Sequence, residues 1–307
     1  MADLKSSSGN SYVLMTAANN EATFIENAIR SIVAQTVQPR RWVIVSDNST
    51  DDTDAIVQRY AEQHDFIRLL RVDRTPGRNY GSKVTALRRG YKLLEEVAYQ
   101  FIGNLDADVT LAPDYFEGLL DRLARNPHMG LVAGFIQEKK DGKFRSRTSN
   151  RVDSVPHAAQ LLRRECYERI GGYSVLRYGG EDWYAQTCAR MHGWQARAFP
   201  ELPIFHHRQT GMANSIVRDR IRLGRLDYSF GSDPLFEILK CAVRVAERPR
   251  VFGAALRLVG FFWSYAKAEE RALTDEMIVF LRQEQKSKIS GLRRYVERRG
   301  LAGAQPQ

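Results

Sequence analysis

Phe101-Ile102-Gly103-Asn104-Leu105-Asp106-Ala107-Asp108 is a short apolar run that ends in two carboxylates one residue apart. Such a run, bounded by polar turn residues, reads as a buried strand, with Asp106 and Asp108 just past its carboxyl end. In an open α/β sheet, ligands gather beyond the carboxyl ends of the strands. Two carboxylates in Asp-x-Asp spacing can there face one hard cation, and an ion so held bridges the oxygens of a diphosphate. The same pair would also serve to cap the turn before Pro113, so the motif alone decides nothing.

The flanking sequence places this strand in an α/β sheet. Upstream, Tyr12–Met15, Arg41–Val45 and Phe66–Val72 read as strands. They alternate with helical patterns over Glu21–Gln35, Asp51–Tyr60 and Val84–Val97. Downstream, Pro113 opens a helix carrying Phe116, Leu119, Leu120 and Leu123, and Met129–Phe135 is a further strand. Gln137–Asp153 is polar and basic and is expected to be a mobile loop, and beyond Val155 the pattern loosens. A helix is expected at Glu181–Met191, then short strands near Gln195–Phe199 and Ile204–His206. From Asn214 onward only helical periodicity remains. The expected organisation is a flexible 1–10, an α/β domain over 11–213 and a basic helical region over 214–307.

The net charge of +10 calls for an anionic partner: nucleic acid, a membrane surface or a phosphorylated substrate. Between Ser215 and Gly300 there are 18 Lys+Arg against 11 Asp+Glu, so +7 of the total lies in the helical region. No zinc-finger or RNP-like pattern accompanies it, which argues against specific nucleic-acid reading. Cys166, Cys188 and Cys241 form no CxxC pair, which argues against a disulfide framework and suits a reducing cytosol. The apolar run Val251–Ala266 is broken by Arg257 and short for a membrane span.

Four further segments carry chemistry. Val43–Asp51 is a strand followed by a polar turn, where Asp47 can accept a hydrogen bond from a pyrimidine imide or simply form an Asx-turn. Gly179-Gly180-Glu181-Asp182-Trp183 sets two acids behind a glycine pair. A carboxylate there beside an anionic ligand has a raised pKa suited to a general base, although acids also favour a helix N-terminus. Phe205-His206-His207-Arg208 offers an imidazole for a cation and a guanidinium for phosphate. Arg74–Lys83 is a basic, glycine-bearing loop that can fold over a diphosphate, with Arg78 and Lys83 as its candidate contacts.

Taken in order over Ser11–Arg208, these segments resemble glycosyltransferase family 2, inverting enzymes on the GT-A fold. Ala17-Ala18-Asn19-Asn20-Glu21, Ser46-Asp47-Asn48-Ser49-Thr50-Asp51, Asp106-Ala107-Asp108 and Arg164…Gly171-Gly172-Tyr173…Glu181-Asp182 match the family's motifs, and His206 falls on a histidine found in many members. The resemblance implies a Rossmann-like mixed sheet flanked by helices, to which the helical region read from periodicity is a C-terminal appendage. It implies transfer of a sugar from a nucleotide-diphosphate donor, expected to be a UDP-sugar, to an acceptor hydroxyl in surface polysaccharide or glycolipid synthesis. Asp47 would bind the base and the Ala18 backbone the nucleoside, with Glu21 also on the donor side. Asp106 would contact ribose or the metal region. Asp108, with Asp106 and His206, would hold Mg²⁺ or Mn²⁺. Asp182 would be the catalytic base, and Glu181 would orient it or hold the acceptor. Arg78 and Lys83 would contact the diphosphate.

The expected partners are the nucleotide sugar, a saccharide or lipid-linked acceptor, an anionic membrane surface, and a second copy through the C-terminal helices. The expected location is cytoplasmic, at the inner face of a membrane. The chain departs from the pattern at Ala17 and Asn19, where proline and an aromatic are usual, and at Ser46, which replaces the first of two aspartates. The rival readings are a nucleotidyltransferase, for which Ala17–Glu21 lacks the glycine-rich basic run, and a non-catalytic nucleotide-sugar scaffold.

Overall fold

The structure is a computed structural model that describes residues 11–73, 81–208, 216–245 and 251–302, the last with side chains through 290. The chain divides into two compact units, Met1–Gln209 and Thr210–Gln307.

In the first unit the strands are β1 (Tyr12–Ala18), β2 (Arg41–Asp47), β3 (Ile67–Val72), β4 (Phe101–Leu105), β5 (Val109–Leu111), β6 (Met129–Lys140), β7 (Lys143–Ser146), β8 (Ala159–Arg163) and β9 (Gln195–His206). The helices are α1 (Ile25–Val33), α2 (Thr53–Ala61), α3 (Ser82–Lys92), α4 (Tyr115–Arg125), α5 (Arg164–Arg169) and α6 (Glu181–Met191). All the strands join one mixed sheet in the order β3-β2-β1-β4-β8-β6-β9-β5, with β7 paired to β6. The pairs β3–β2, β2–β1 and β1–β4 are parallel. Val13, Leu14 and Met15 of β1 and Val43, Ile44 and Val45 of β2 are fully buried, as continuous apolar runs in a sheet covered on both faces should be.

The chain runs from β1 to β2 to β3 on one side and then crosses to β4 on the other side of β1. That reversal leaves a crevice between the carboxyl ends of β1 and β4, where ligands bind in open α/β sheets. Ala18 and Asp106 border it.

Four expectations are corrected. Gln137–Asp153 is not a mobile loop: β6 continues to Lys140, Asp141 and Gly142 turn with positive φ, and β7 pairs back from Lys143 to Ser146. Asp-Gly favours that two-residue turn. The Glu138 carboxylate accepts from Arg147 at 2.7 Å, and Asn150 Oδ1 accepts from Ile136 N at 3.2 Å, so the segment is tied down after the hairpin as well. Order does not loosen beyond Val155: Ala159–Arg163 is a central strand between β4 and β6. Its Ala-Gln-Leu-Leu-Arg composition favours helix, and pairing on both sides overrides that preference. The two short strands expected over 195–206 are one strand with a register shift opposite Gly134/Phe135. A side chain at Gly134 would overlap the Leu202 carbonyl, so only glycine permits that irregularity. Finally, α1 begins at Ile25 rather than Glu21, because the backbone before it is bonded to the β2 loop.

The second unit is helical: α7 (Ile216–Ser229), α8 (Pro234–Val243), α9 (Phe252–Ala266) and α10 (Asp275–Ala302). No described helix is long and apolar enough to cross a membrane.

Candidate active site

Two loops meet at the ends of β1 and β2. Asn19 Nδ2 donates to the Asp47 carbonyl at 2.5 Å, and Asn20 Oδ1 accepts from Thr50 N at 2.8 Å. Ala22 N donates to Asp51 Oδ2 at 3.0 Å, and Glu21 N to Thr53 Oγ1 at 2.8 Å. Asn20 and Asn48 both sit at positive φ, a conformation that asparagine tolerates better than most residues. This zipper fixes Ala18, Glu21 and the buried Asp47 along one rim of the crevice.

The acidic pair is set by β4, β5 and β8. Asp106 N donates to the Ala158 carbonyl at 2.8 Å, next to the Leu105–Ala159 register of β4 and β8. Immediately after Asp108, β5 pairs with β9 so that Val109 lies opposite His206, and His207 N donates to the Asp108 carbonyl at 3.0 Å. The pairing delivers His206 Nε2 to 3.4 Å from Asp108 Oδ1. Asp106, Asp108 and His206 each offer a ligand atom, all within 4.8 Å of one another. His206 Nδ1 is buried and has no hydrogen-bond partner among the described residues. Two carboxylates and an imidazole form an oxygen-rich donor set that fits Mg²⁺ or Mn²⁺.

Cations crowd the same place. Lys83 Nζ, from the first turn of α3, is 2.5 Å from Asp106 Oδ1. Arg208, just after β9, pairs with Glu21 and lies 3.4 Å from Asp108 Oδ2. Burial acts to raise Asp108, but His206, Arg208 and Lys83 outweigh it and hold its carboxyl below the usual range. Burial, and then the charge of Asp108, push Asp106 up despite Lys83. Burial also lifts Glu21 to about 7, against the pull of Arg208. Closely set carboxylates that share burial but differ in their nearest cations should show such unequal pKa values.

Glu181 and Asp182 lie within electrostatic reach of Lys83. Gly179 and Gly180 both have left-handed φ, which lets the chain turn sharply into α6 with the two acids in its first turn. Burial lowers the Lys83 pKa, but Asp106, then Glu181, more than offset it, so the ammonium lies within the fields of both acidic segments. Asp182 rises to about 6, first through burial and then through Glu181, while Lys83 pulls it down. The Asp182 carboxylate accepts from Trp183 N at 2.7 Å.

A buried polar chain ties the segments together. The Tyr173 hydroxyl sits 2.6 Å from Asn104 Oδ1 and 3.0 Å from Gln160 Oε1. Gln160 and Gln186 both donate to the Val155 carbonyl, and Gln186 also donates to the Asp182 carbonyl at 3.0 Å. The residue two before Asp106 is thereby coupled to the backbone of Asp182.

Of the residues singled out from sequence, Lys83, Asp106, Asp108 and His206 are in contact, Glu21 joins them through Arg208, and Glu181 and Asp182 join through the field of Lys83. Ala18 and Asp47 stand on the adjoining rim. Arg78 lies outside the described residues. His157 was missed: it is buried, its Nδ1 is 3.0 Å from Asn104 Nδ2, and its Nε2 has no partner among the described residues. Burial, and then Lys83, hold its pKa well below the usual imidazole value.

The family model for glycosyl transferase family 2 matches residues 12–180, more than half of the chain. The chain belongs to that family. Its matched span covers β1 to the glycine pair before α6, the part that builds the crevice. A poly-β-1,6-N-acetyl-D-glucosamine synthase of Staphylococcus epidermidis is 28% identical over 121 residues, 39% of this chain and 27% of the relative. The corresponding synthase of Staphylococcus aureus strain COL is 26% identical over 149 residues, 48% of this chain and 32% of the relative. The matches thus span about a third or less of these relatives.

Among solved structures, the mannosyltransferase PcManGT from Pyrobaculum calidifontis, in complex with GDP-Man and Mn²⁺, superposes with a TM-score of 0.56 at 20% identity, over 91% of this chain and 80% of that one. Staphylococcus aureus TarS 1-349 in complex with UDP-GlcNAc gives 0.52 at 14% identity, over 92% of both chains. At these identities the likeness concerns the fold, which is the GT-A arrangement expected from the resemblance.

Proposed function

We propose that this family 2 glycosyltransferase moves a sugar from a UDP-sugar to a hydroxyl of a saccharide or lipid-linked acceptor, with inversion, in the synthesis of a surface polysaccharide or glycolipid. The observation that carries the reading is the convergence of Asp106, Asp108 and His206 within 4.8 Å, beside a lysine that feels Glu181 as well. The named activity of the staphylococcal synthases supports polysaccharide synthesis, and the UDP-GlcNAc complex of TarS supports a uridine donor.

In this reading Asp47 and the Ala18 backbone hold the nucleoside, Glu21 keeps Arg208 directed at the donor, and Lys83 and Arg78 meet the diphosphate. A divalent cation held by Asp106, Asp108 and His206 would neutralise charge on the departing diphosphate. Asp182 takes the proton of the acceptor hydroxyl while that oxygen attacks the anomeric carbon from the face opposite the leaving group. Glu181 keeps the base carboxylate basic and the acceptor in place. A single displacement of this kind inverts the anomeric centre. The enzyme works in the cytoplasm, where nucleotide sugars are made.

The test is a panel of nucleotide sugars with Mn²⁺, assayed for transfer and hydrolysis with and without EDTA. Metal-dependent turnover of one donor supports the reading, and binding without turnover of any donor would favour a scaffold. Asp182→Asn should abolish transfer and leave donor binding nearly intact. Loss of both together contradicts the assignment.

A further inference from the structure

In the second unit, α8 and α9 have their charges inside and their apolar side chains outside. Glu237 is fully buried, and Asp227 of α7 is 2% exposed. Arg257 Nη2 is 2.5 Å from Asp227 Oδ2, and Lys240 Nζ lies 2.9 Å from Asp227 Oδ1 and 2.5 Å from Glu237 Oε2. Two carboxylates and two cations thus neutralise one another inside the helix cluster. Meanwhile every exposed position of α8 and of α9 carries an apolar or aromatic side chain. Val243 is 76% exposed, Leu235, Phe252 and Trp263 are each 59% exposed, and Val259 is 55% exposed.

A helix facing water normally shows the reverse pattern. Contiguous apolar faces of this kind mark a surface that meets another apolar phase. Internal pairing of the ionised groups is also what an apolar surrounding demands, because unpaired charge there is costly.

From this arrangement we infer that α8 and α9 form a docking face for an anionic lipid bilayer, entered from one side without crossing it. Three observations choose lipid over a second copy of the chain. The unit carries 18 Lys+Arg against 11 Asp+Glu, a charge that repels a copy of itself and complements anionic headgroups. Each apolar helix is followed directly by a cation, Arg244 after α8 and Lys267 after α9, a residue type whose long stem can lie along apolar surface with its charge at the headgroups. Lys267 stands over the Trp263 ring at 5.6 Å, and Trp263 and Tyr265 are of the type that favours the headgroup region. The 15 residues of α9 extend about 22 Å, short of the ~30 Å hydrocarbon core, so the helix lies on the membrane rather than through it.

This inference rests on the second unit alone and does not depend on which donor or acceptor the first unit uses. The 307-residue chain would be floated with vesicles of phosphatidylcholine alone and of phosphatidylcholine with phosphatidylglycerol. Binding to the anionic vesicles, weakened by salt, is expected. The exposed pair Val259→Glu with Trp263→Glu should lower it at least about tenfold, with far-UV circular dichroism and donor hydrolysis unchanged. Absence of binding to anionic vesicles, or equal binding by the double variant, overturns the inference. So does a dimer in sedimentation velocity that the same pair of substitutions dissolves, since the face would then belong to a second copy.

Discussion

The raised pKa of Asp182 makes a quantitative demand on catalysis. In its proposed role as general base Asp182 acts only when deprotonated, so activity should be gained as pH rises through its pKa, at about 6. With that value about a tenth of the enzyme is competent at pH 5 and about nine-tenths at pH 7, so kcat/KM should rise about tenfold across that interval. An aspartate at its ordinary value, near ~3.9, would leave the profile almost flat over the same range. The profile of kcat/KM reports groups of the free enzyme rather than of its substrate complex.

Burial is the main cause of the rise and Glu181 the second, so Glu181→Gln should move the acidic limb downward without abolishing it. The assay is initial rates from pH 4.5 to 8 at saturating Mn²⁺ for both proteins. Glu21, lifted to about 7, titrates in an overlapping window and supplies the control. If Glu21→Gln removes the limb while Glu181→Gln leaves it in place, the limb belongs to Glu21 and the reasoning about Asp182 fails.

Two further outcomes follow from the same geometry. Tyr173→Phe removes the hydroxyl between buried Asn104 and Gln160 and should cost about 1–3 kcal/mol in urea unfolding; a cost near zero would mean that the buried chain does not hold the site together. His206→Gln should weaken Mn²⁺ binding at least about tenfold by isothermal titration, and an unchanged affinity would remove the imidazole from the ligand set.

Much of the sheet was legible because its central strands are continuous apolar runs: Val43-Ile44-Val45 and Phe101-Ile102 could be little else than buried strands. The carboxylates at their ends were legible for the same reason, since a strand end fixes where the next side chains go. What stayed hidden was set by partners distant in sequence. β8 is built of helix-favouring residues and is a strand only because β4 and β6 flank it. β5 has three residues, too few for any periodicity, yet it brings His206 to Asp108. Arg208 meets Glu21 across 187 positions. Asn104, Gln160 and Gln186 are buried although such side chains are mostly exposed, so composition gave no hint of the chain that couples them. The hairpin at Asp141-Gly142 did carry a local signal, and its polar, basic flanks masked it.

The proposed transfer requires a divalent cation held between Asp106, Asp108 and His206, whose ligand atoms lie within 4.8 Å of one another. Crystals soaked with Mn²⁺ and UDP, measured for anomalous scattering at the manganese edge, address this directly. A single strong peak within bonding distance of those three side chains, with the diphosphate beside it, is the expected result. A peak elsewhere on the chain, or nucleotide bound at full occupancy with no manganese against these residues, would contradict it.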